Sequence, residues 1–184
     1  MIKKWLCFIL SLLLALCAFT SSMAMTEEEA RKSVNTQAIR SMLDVNEYNY
    51  TYVEDGGYFT LTFTLESTLN TCKVWIVPFD DSVRIQADYE VSATKETRDE
   101  MAIFCTRISN DLRVGHFYMD YDEGLVGYEV MIYTEEAAPT QKALDFCLTL
   151  SISMAERYGE GVANILFNKY TAEDAYALCK DMDQ

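Results

Sequence analysis

Alternating carboxylates followed by glycine stand at Asp120 to Gly124, a pattern that occurs both in calcium-binding loops and in tight turns between strands. An EF-hand loop needs glycine at its sixth position and a bidentate glutamate at its twelfth. If Asp120 is taken as the first position, Asp122 suits the third, but Leu125 occupies the sixth and Met131 the twelfth. The match is too poor for a calcium site, and we predict a turn.

The segments on both sides of this turn alternate apolar and polar residues, as half-buried strands do. The apolar members are Phe117, Met119 and Tyr121 before the turn and Val126, Tyr128, Val130 and Ile132 after it. Asp122 to Gly124 suits a three-residue loop in which Gly124 takes the left-handed conformation. The pattern therefore predicts a β-hairpin.

His116 is the only histidine of the chain, so any Cys–His nucleophile or histidine-bound metal must use it. Cys105 lies on the helix predicted before His116, and the helical rise would separate the two by about 15 Å, too far for a catalytic pair. His116 and Asp120 share a strand face about 13 Å apart and cannot bind one ion. We predict no catalytic residue, no metal site and no cofactor, and expect His116 to be an exposed residue at a strand end.

Four of the six cysteines lie beyond residue 24, namely Cys72, Cys105, Cys147 and Cys179. Four cysteines allow three disulfide pairings, and spacing alone does not choose among them. Cys105 and Cys147 fall at helical spacing with apolar residues, as small core residues would. No CxxC is present, which argues against a zinc ribbon or a redox dithiol. The pattern favours buried free thiols, and one disulfide stays an open alternative.

The first 24 residues have the three parts of a signal peptide. Lys3 and Lys4 give the charged start, an apolar run follows over 5–19, and Ser22-Met23-Ala24 supplies small residues at the two recognition positions. We predict cleavage after Ala24 and export of a single domain over 25–184. A retained N-terminal membrane anchor is the alternative, although the run is shorter than the ~20 residues that span a bilayer.

Charge restricts the partners of the exported domain. All 29 acidic residues but only 13 of the 15 basic ones lie after residue 24, which gives a formal charge of about −16. Phosphate backbones are repelled by such a surface, so we exclude nucleic acid as a partner. Beyond the N-terminal run, no apolar stretch of the sequence is long enough to span a membrane.

Periodicity and capping signals predict the first helix and four strands. A capping box at Thr26 and Glu29 opens a helix over 27–44, whose apolar stripe includes Val34 and Met42. Strand-like alternation follows near 48–52, 59–65, 73–77 and 83–89.

Three further helices complete the predicted order. The second is expected over 95–113, capped near Thr94. The third should start at Thr140 and be interrupted by Gly159 and Gly161, and the last should be capped by Thr171. The order α-β-β-β-β-α-β-β-α-α predicts an α+β two-layer sandwich, with an antiparallel sheet (a meander plus a hairpin) and helices packed on one face.

Aromatic residues on the predicted strands form the candidate partner surface. Its members are Tyr48, Tyr50, Tyr52, Trp75 and Phe79. Tyrosine and tryptophan are enriched at protein interfaces. The tyrosines could instead pack beneath the first helix or across strands, and the pattern favours that alternative slightly. Trp75 and Phe79 should point outward if Val74 and Ile76 point inward.

Three stretches resemble the YbjN-like family, which shares the fold of type III secretion chaperones. They are the meander YNYTYVEDGGYFTLTF leading to VWIVPFDDSVRIQADYEV, the segment ISNDLRVGHFYMDYDEGLVGYEVMIY, and the segment MAERYGEGVANILFNKYTAEDAYAL. The resemblance implies regulation of sensory transduction and supplies no catalytic residues. Relatives of this fold are commonly dimeric, whereas the export signal departs from the commonest cytoplasmic members.

These observations favour an exported, non-enzymatic binding or regulatory module. Its partner would be a protein, a peptide or a second copy of the chain. The binding module is favoured because no nucleophile, base and orienting group can be assembled around one histidine. The alternative is a hydrolase or small-ligand-binding protein that uses a carboxylate-lined pocket.

Overall fold

The computed structural model describes residues 25–135, 137–167 and 169–181. The predicted signal peptide over 1–24 and its cleavage after Ala24 lie outside the described residues and stay predictions.

Within these ranges, four helices and six strands follow one another in the predicted order. The helices are α1 (Glu27–Val45), α2 (Arg98–Asp111), α3 (Gln141–Leu166) and α4 (Ala172–Asp181). The strands are β1 (Thr51–Val53), β2 (Tyr58–Thr64), β3 (Thr71–Pro78), β4 (Ser82–Ser92), β5 (His116–Met119) and β6 (Leu125–Tyr133). They form one antiparallel sheet in the order β1-β2-β3-β4-β6-β5. The α+β fold class is confirmed.

Helix α1 begins with the predicted capping box. The backbone N–H of Glu29 donates to the Thr26 hydroxyl, and the Glu29 carboxylate accepts from the Thr26 N–H. The inward stripe is rotated from the prediction, because Asn35 is buried whereas Val34 is 48% exposed. The Asn35 amide donates to the carbonyl of Phe79 and the hydroxyl of Thr134, which compensates its burial.

Residues 120–124 form the predicted turn between β5 and β6. One carboxylate oxygen of Asp120 accepts the backbone N–H groups of Asp122 and Glu123 at 2.9 and 2.8 Å. Gly124 has φ +76° and closes the turn by donating to the Asp120 carbonyl. The Asp120 carboxylate therefore satisfies the turn's own backbone, and the hairpin prediction is confirmed.

Helix α3 corrects the prediction that Gly159 and Gly161 interrupt a helix. It runs unbroken through both residues to Leu166. A Cβ at Gly159 would lie 2.5 Å from the Ser67 hydroxyl oxygen, and one at Gly161 would lie 2.6 Å from the ring of Phe104. The glycines thus allow close approach of neighbouring elements, a packing role that local helix propensity does not reveal.

Helix α2 starts later than predicted. Thr94 does not cap it with its side chain; its carbonyl accepts the N–H groups of Thr97 and Arg98 in a turn before the helix. The N-cap is Thr97, which makes no side-chain capping bond. Helix α4 starts as predicted, because the Thr171 hydroxyl accepts from the Asp174 N–H at 3.2 Å.

The sheet has one face inside the core and one outside it. Inward side chains such as Phe59, Ile76 and Ile85 share one buried cluster with residues of all four helices, including Ile39 of α1 and Ala175 of α4. The outward side chains of β2, β3, β4 and β6 do not belong to this cluster. We call this outer side of the sheet the open face.

Candidate functional site on the open face of the sheet

Strand register places outward side chains in rows across the open face. One row contains Thr60, Trp75, Gln86, Glu129 and His116. The neighbouring row contains Thr62, Lys73, Asp88, Gly127 and Tyr118. Side chains directly opposite on adjacent strands lie close enough to interact, so each row is a set of contacts.

Trp75 stands at the centre of an aromatic and cationic group on this face. Its ring lies 5.4 Å from that of Tyr58, and the Nζ atom of Lys73 lies 4.3 Å from its centroid. The guanidinium of Arg84 lies 5.5 Å from the ring of Phe79. Trp75 and Phe79 are only half-buried. Part of each ring therefore stays accessible beside a cation.

A polar network lies next to Trp75. The Tyr118 hydroxyl donates to the Asp88 carboxylate, and the Gln86 amide donates to the Tyr118 oxygen and, at 3.4 Å, to Asp88. Gly127 makes room for this arrangement, because a Cβ there would lie 2.9 Å from the Tyr118 hydroxyl and 2.8 Å from the Ala87 carbonyl. Sequence reasoning missed the network, although a glycine inside a strand is itself a signal of close approach.

Partial burial sets the protonation of this network. Desolvation raises the pKa of Asp88, and hydrogen bonds from Tyr118, Gln86 and Trp75 oppose that rise. Desolvation, followed by the hydrogen bond to Asp88, raises the pKa of Tyr118. The phenol therefore keeps its proton and acts as a donor. This arrangement holds the side chains at fixed positions and provides no activated nucleophile.

The raised pKa of Asp88 makes stability depend on pH in a defined direction. A carboxyl whose pKa is higher in the folded than in the unfolded state stabilises the fold fully below the unfolded pKa, and this contribution is lost as pH rises through the folded pKa. We expect Asp88→Asn to remove this loss. Urea unfolding at several pH values should show the variant gaining stability relative to the natural chain as pH rises above ~3.9, the ordinary pKa of an unfolded aspartate. Parallel pH profiles would contradict this assignment.

The three predicted tyrosines lie on the other side of the sheet from Trp75. Tyr50 and Tyr52 pack on the inward residue Phe59, with ring centroids 5.6 and 4.7 Å from it. The hydroxyl of Tyr48 donates to Asp145 of α3, and that of Tyr50 donates to Asp44 of α1. These contacts agree with the alternative prediction, in which the tyrosines pack beneath the first helix or across strands. They therefore cannot share one outer surface with Trp75 and Phe79.

The family model for YbjN, described as "Putative bacterial sensory transduction regulator", matches residues 35–164. That range covers more than half of the chain and all six strands. The chain belongs to the YbjN family. No curated protein matches it. The YbjN match includes every residue of the open-face rows, and the family description names regulation and no reaction.

The cysteines of this YbjN domain are all buried. Cys72, Cys105 and Cys147 are free thiols in the structure, and Cys179 lies against the position of Gly161. Burial raises the pKa of Cys72 and of Cys105 to about 12 and also raises the pKa of Cys147. Thiols with raised pKa values are poor nucleophiles, so they do not form a reactive site.

Within residues 25–135, 137–167 and 169–181, no group of three or more His, Cys, Asp or Glu side chains is arranged to hold a metal ion. Over the same ranges, no helix combines the length and apolar character needed to cross a membrane. His116 is exposed at the start of β5, and its row partner is Glu129.

Proposed function

We propose that this YbjN protein is an exported, non-enzymatic regulatory module that binds a protein or peptide partner with the open face of its sheet. The observation that carries the proposal is the position of Trp75, whose ring lies outside the helix-covered core and beside Tyr58 and Lys73. Tryptophan, tyrosine and arginine dominate the energetic centres of protein interfaces. A partly exposed tryptophan with a tyrosine and a lysine beside it on a rigid sheet suits a protein surface.

The geometry of Asp88 supports binding over catalysis. A glycosidase-type mechanism uses two carboxyl groups on opposite sides of a substrate. Groups that donate hydrogen bonds to Asp88 include the phenol of Tyr118 and the amide of Gln86. Both orient the carboxylate and neither can serve as the second carboxyl group. The network around Trp75 thus provides hydrogen-bonding groups at fixed positions, as a binding surface requires.

Export is the second part of the proposal and depends on the N-terminal segment. The charged start at Lys3 and Lys4, the apolar run and the small residues before Met25 support cleavage after Ala24. We expect the chain recovered outside the cytoplasm to begin at Met25. Intact-mass and N-terminal peptide measurements test this, and an exported chain that retains Met1 or Cys7 would favour the retained anchor.

The partner is tested with a matched pair of alanine variants. Trp75→Ala removes an aromatic ring from the open face, and Phe146→Ala removes one that is 57% exposed on α3. Recovery of the partner with the tagged chain should fall for the first variant only.

If the partner is a second copy, light scattering should show a dimer whose dissociation constant falls as salt screens the charge of about −16.

A further inference from the structure

The connection between α1 and β1 contains the sequence Glu47-Tyr48-Asn49-Tyr50-Thr51. Asn-x-Thr is the acceptor sequence for N-linked glycosylation of exported proteins, and Asn49 is the only asparagine here that is followed two residues later by serine or threonine. Glu47 stands two residues before it, where bacterial oligosaccharyltransferases select an acidic side chain. The segment therefore meets the sequence requirement of that enzyme class.

The structure displays the three recognition residues on one side of the segment. Glu47, Asn49 and Thr51 are exposed, whereas the intervening Tyr48 and Tyr50 pack against the core. Alternate side chains of an extended chain point to opposite sides, which accounts for the alternation from Tyr48 to Thr51. The Tyr48 hydroxyl donates to Asp145, and the Tyr50 hydroxyl donates to Asp44. These hydrogen bonds hold the two tyrosines toward the helices and leave Asn49 facing solvent.

The backbone around Asn49 is also accessible to an enzyme. Glu47 has φ +56° and ends α1 in a left-handed conformation, which turns the chain out of the helix. Strand β1 starts only at Thr51, so Asn49 lies outside the paired sheet. In the part of the chain that the structure describes, its side-chain amide makes no hydrogen bond that would have to be broken.

We propose that Asn49 is an acceptor for N-linked glycosylation. Its amide nitrogen would attack the anomeric carbon of an oligosaccharide carried on a lipid pyrophosphate. The new C–N bond replaces the bond from sugar carbon to pyrophosphate oxygen, the amide loses one proton, and the lipid pyrophosphate leaves. In the cell this reaction rests on the export proposed above, because these enzymes and their donors act on translocated chains.

The chemistry is tested with the purified full chain, a bacterial oligosaccharyltransferase and its lipid-linked oligosaccharide. Mass spectrometry should show one added glycan on Asn49 in the natural chain and in Thr51→Ser. Thr51→Val keeps the β-branched shape at the strand start but removes the hydroxyl, and it should lose the glycan completely, as should Asn49→Gln. Glu47→Gln should lower occupancy at least severalfold.

A chain left unmodified while a peptide of residues 45–53 is glycosylated would overturn the proposal, because the fold would then hide the acceptor. An unmodified peptide would also overturn it.

A second experiment, in cells, separates the glycosylation proposal from the export proposal. If the purified chain is modified in vitro but the chain in cells keeps an intact N-terminus and carries no glycan, only the export proposal is contradicted. If the chain is exported and stays unmodified while a reference protein in the same cells is modified, the Asn49 assignment is contradicted.

Discussion

Gly124→Val should strongly destabilise the fold. Gly124 has φ +76°, a conformation that costs a residue with a side chain about 1–3 kcal/mol, and β-branched residues pay most. In addition, a Cβ at this position would lie 2.2 Å from the carbonyl oxygen of Ala93, which is backbone and cannot turn away. The Ala93 N–H donates to the Gly124 carbonyl at 2.8 Å, so moving the turn would also break this contact.

Gly57→Val is the matched control for this prediction. Gly57 has φ +65°, but a Cβ there would meet only the flexible end of Lys32 at 3.5 Å. The control should therefore lose only the stability that the unfavourable backbone conformation of valine costs. We expect Gly124→Val to lose about 4 kcal/mol or more, against a usual total of about 5–15 kcal/mol. Urea unfolding followed by circular dichroism measures both variants, and equal losses would show that the Ala93 contact does not matter.

Trp75→Ala should abolish most partner binding while leaving the fold intact. A tryptophan at the centre of an interface typically contributes about 2 kcal/mol or more, which corresponds to roughly a 30-fold increase in Kd. Its neighbours Tyr58 and Lys73 should then lose the ring that they pack against. Because Trp75 lies outside the buried cluster, its removal opens no cavity in the core.

Phe146→Ala gives the comparison needed to interpret that loss. Phe146 is exposed on the helix layer, so its truncation removes an aromatic ring from the opposite side of the domain. Its complex should keep the Kd of the natural chain within about threefold, as expected for residues outside a hot spot. If both variants lost binding equally, or if Phe146→Ala lost more, the partner would bind the helices and the open face would have no role.

Local sequence signals predicted the elements whose structure is decided locally. The capping box of α1, the alternation in β2 and β4, and the turn ending at Gly124 depend on residues within a few positions of one another. Each of these signals and the packed fold favour the same conformation. This agreement between levels explains why the order of elements and the one-sided sandwich could be predicted.

Predictions failed where distant contacts outweigh local preference. Glycine disfavours a helix, yet α3 continues through Gly159. A side chain at this position would collide with Ser67, which packs closely against the helix. Apolar character placed Val34 inward, but Asn35 takes the inward position because its amide bonds Phe79 and Thr134. Neither partner could be inferred from sequence, since the contacts join residues far apart in the chain.

The candidate site was only partly predictable for the same reason. Strand alternation correctly placed Trp75 opposite the inward residues Val74 and Ile76. The contact between Asp88 and Tyr118, by contrast, crosses β6 at Gly127 and depends on a sheet order in which β4 pairs with β6. That pairing is set by the whole fold.

Site-specific photo-crosslinking on the two sides of the domain tests the role of the open face most directly. A benzophenone amino acid replaces Met131, which is 38% exposed on the open face, or Phe146 on the helix layer. We expect the Met131 probe to form one discrete adduct that disappears when Trp75→Ala is added, and the Phe146 probe to form none. An adduct from the Phe146 probe alone, or a Met131 adduct that survives Trp75→Ala, would contradict binding through the open face.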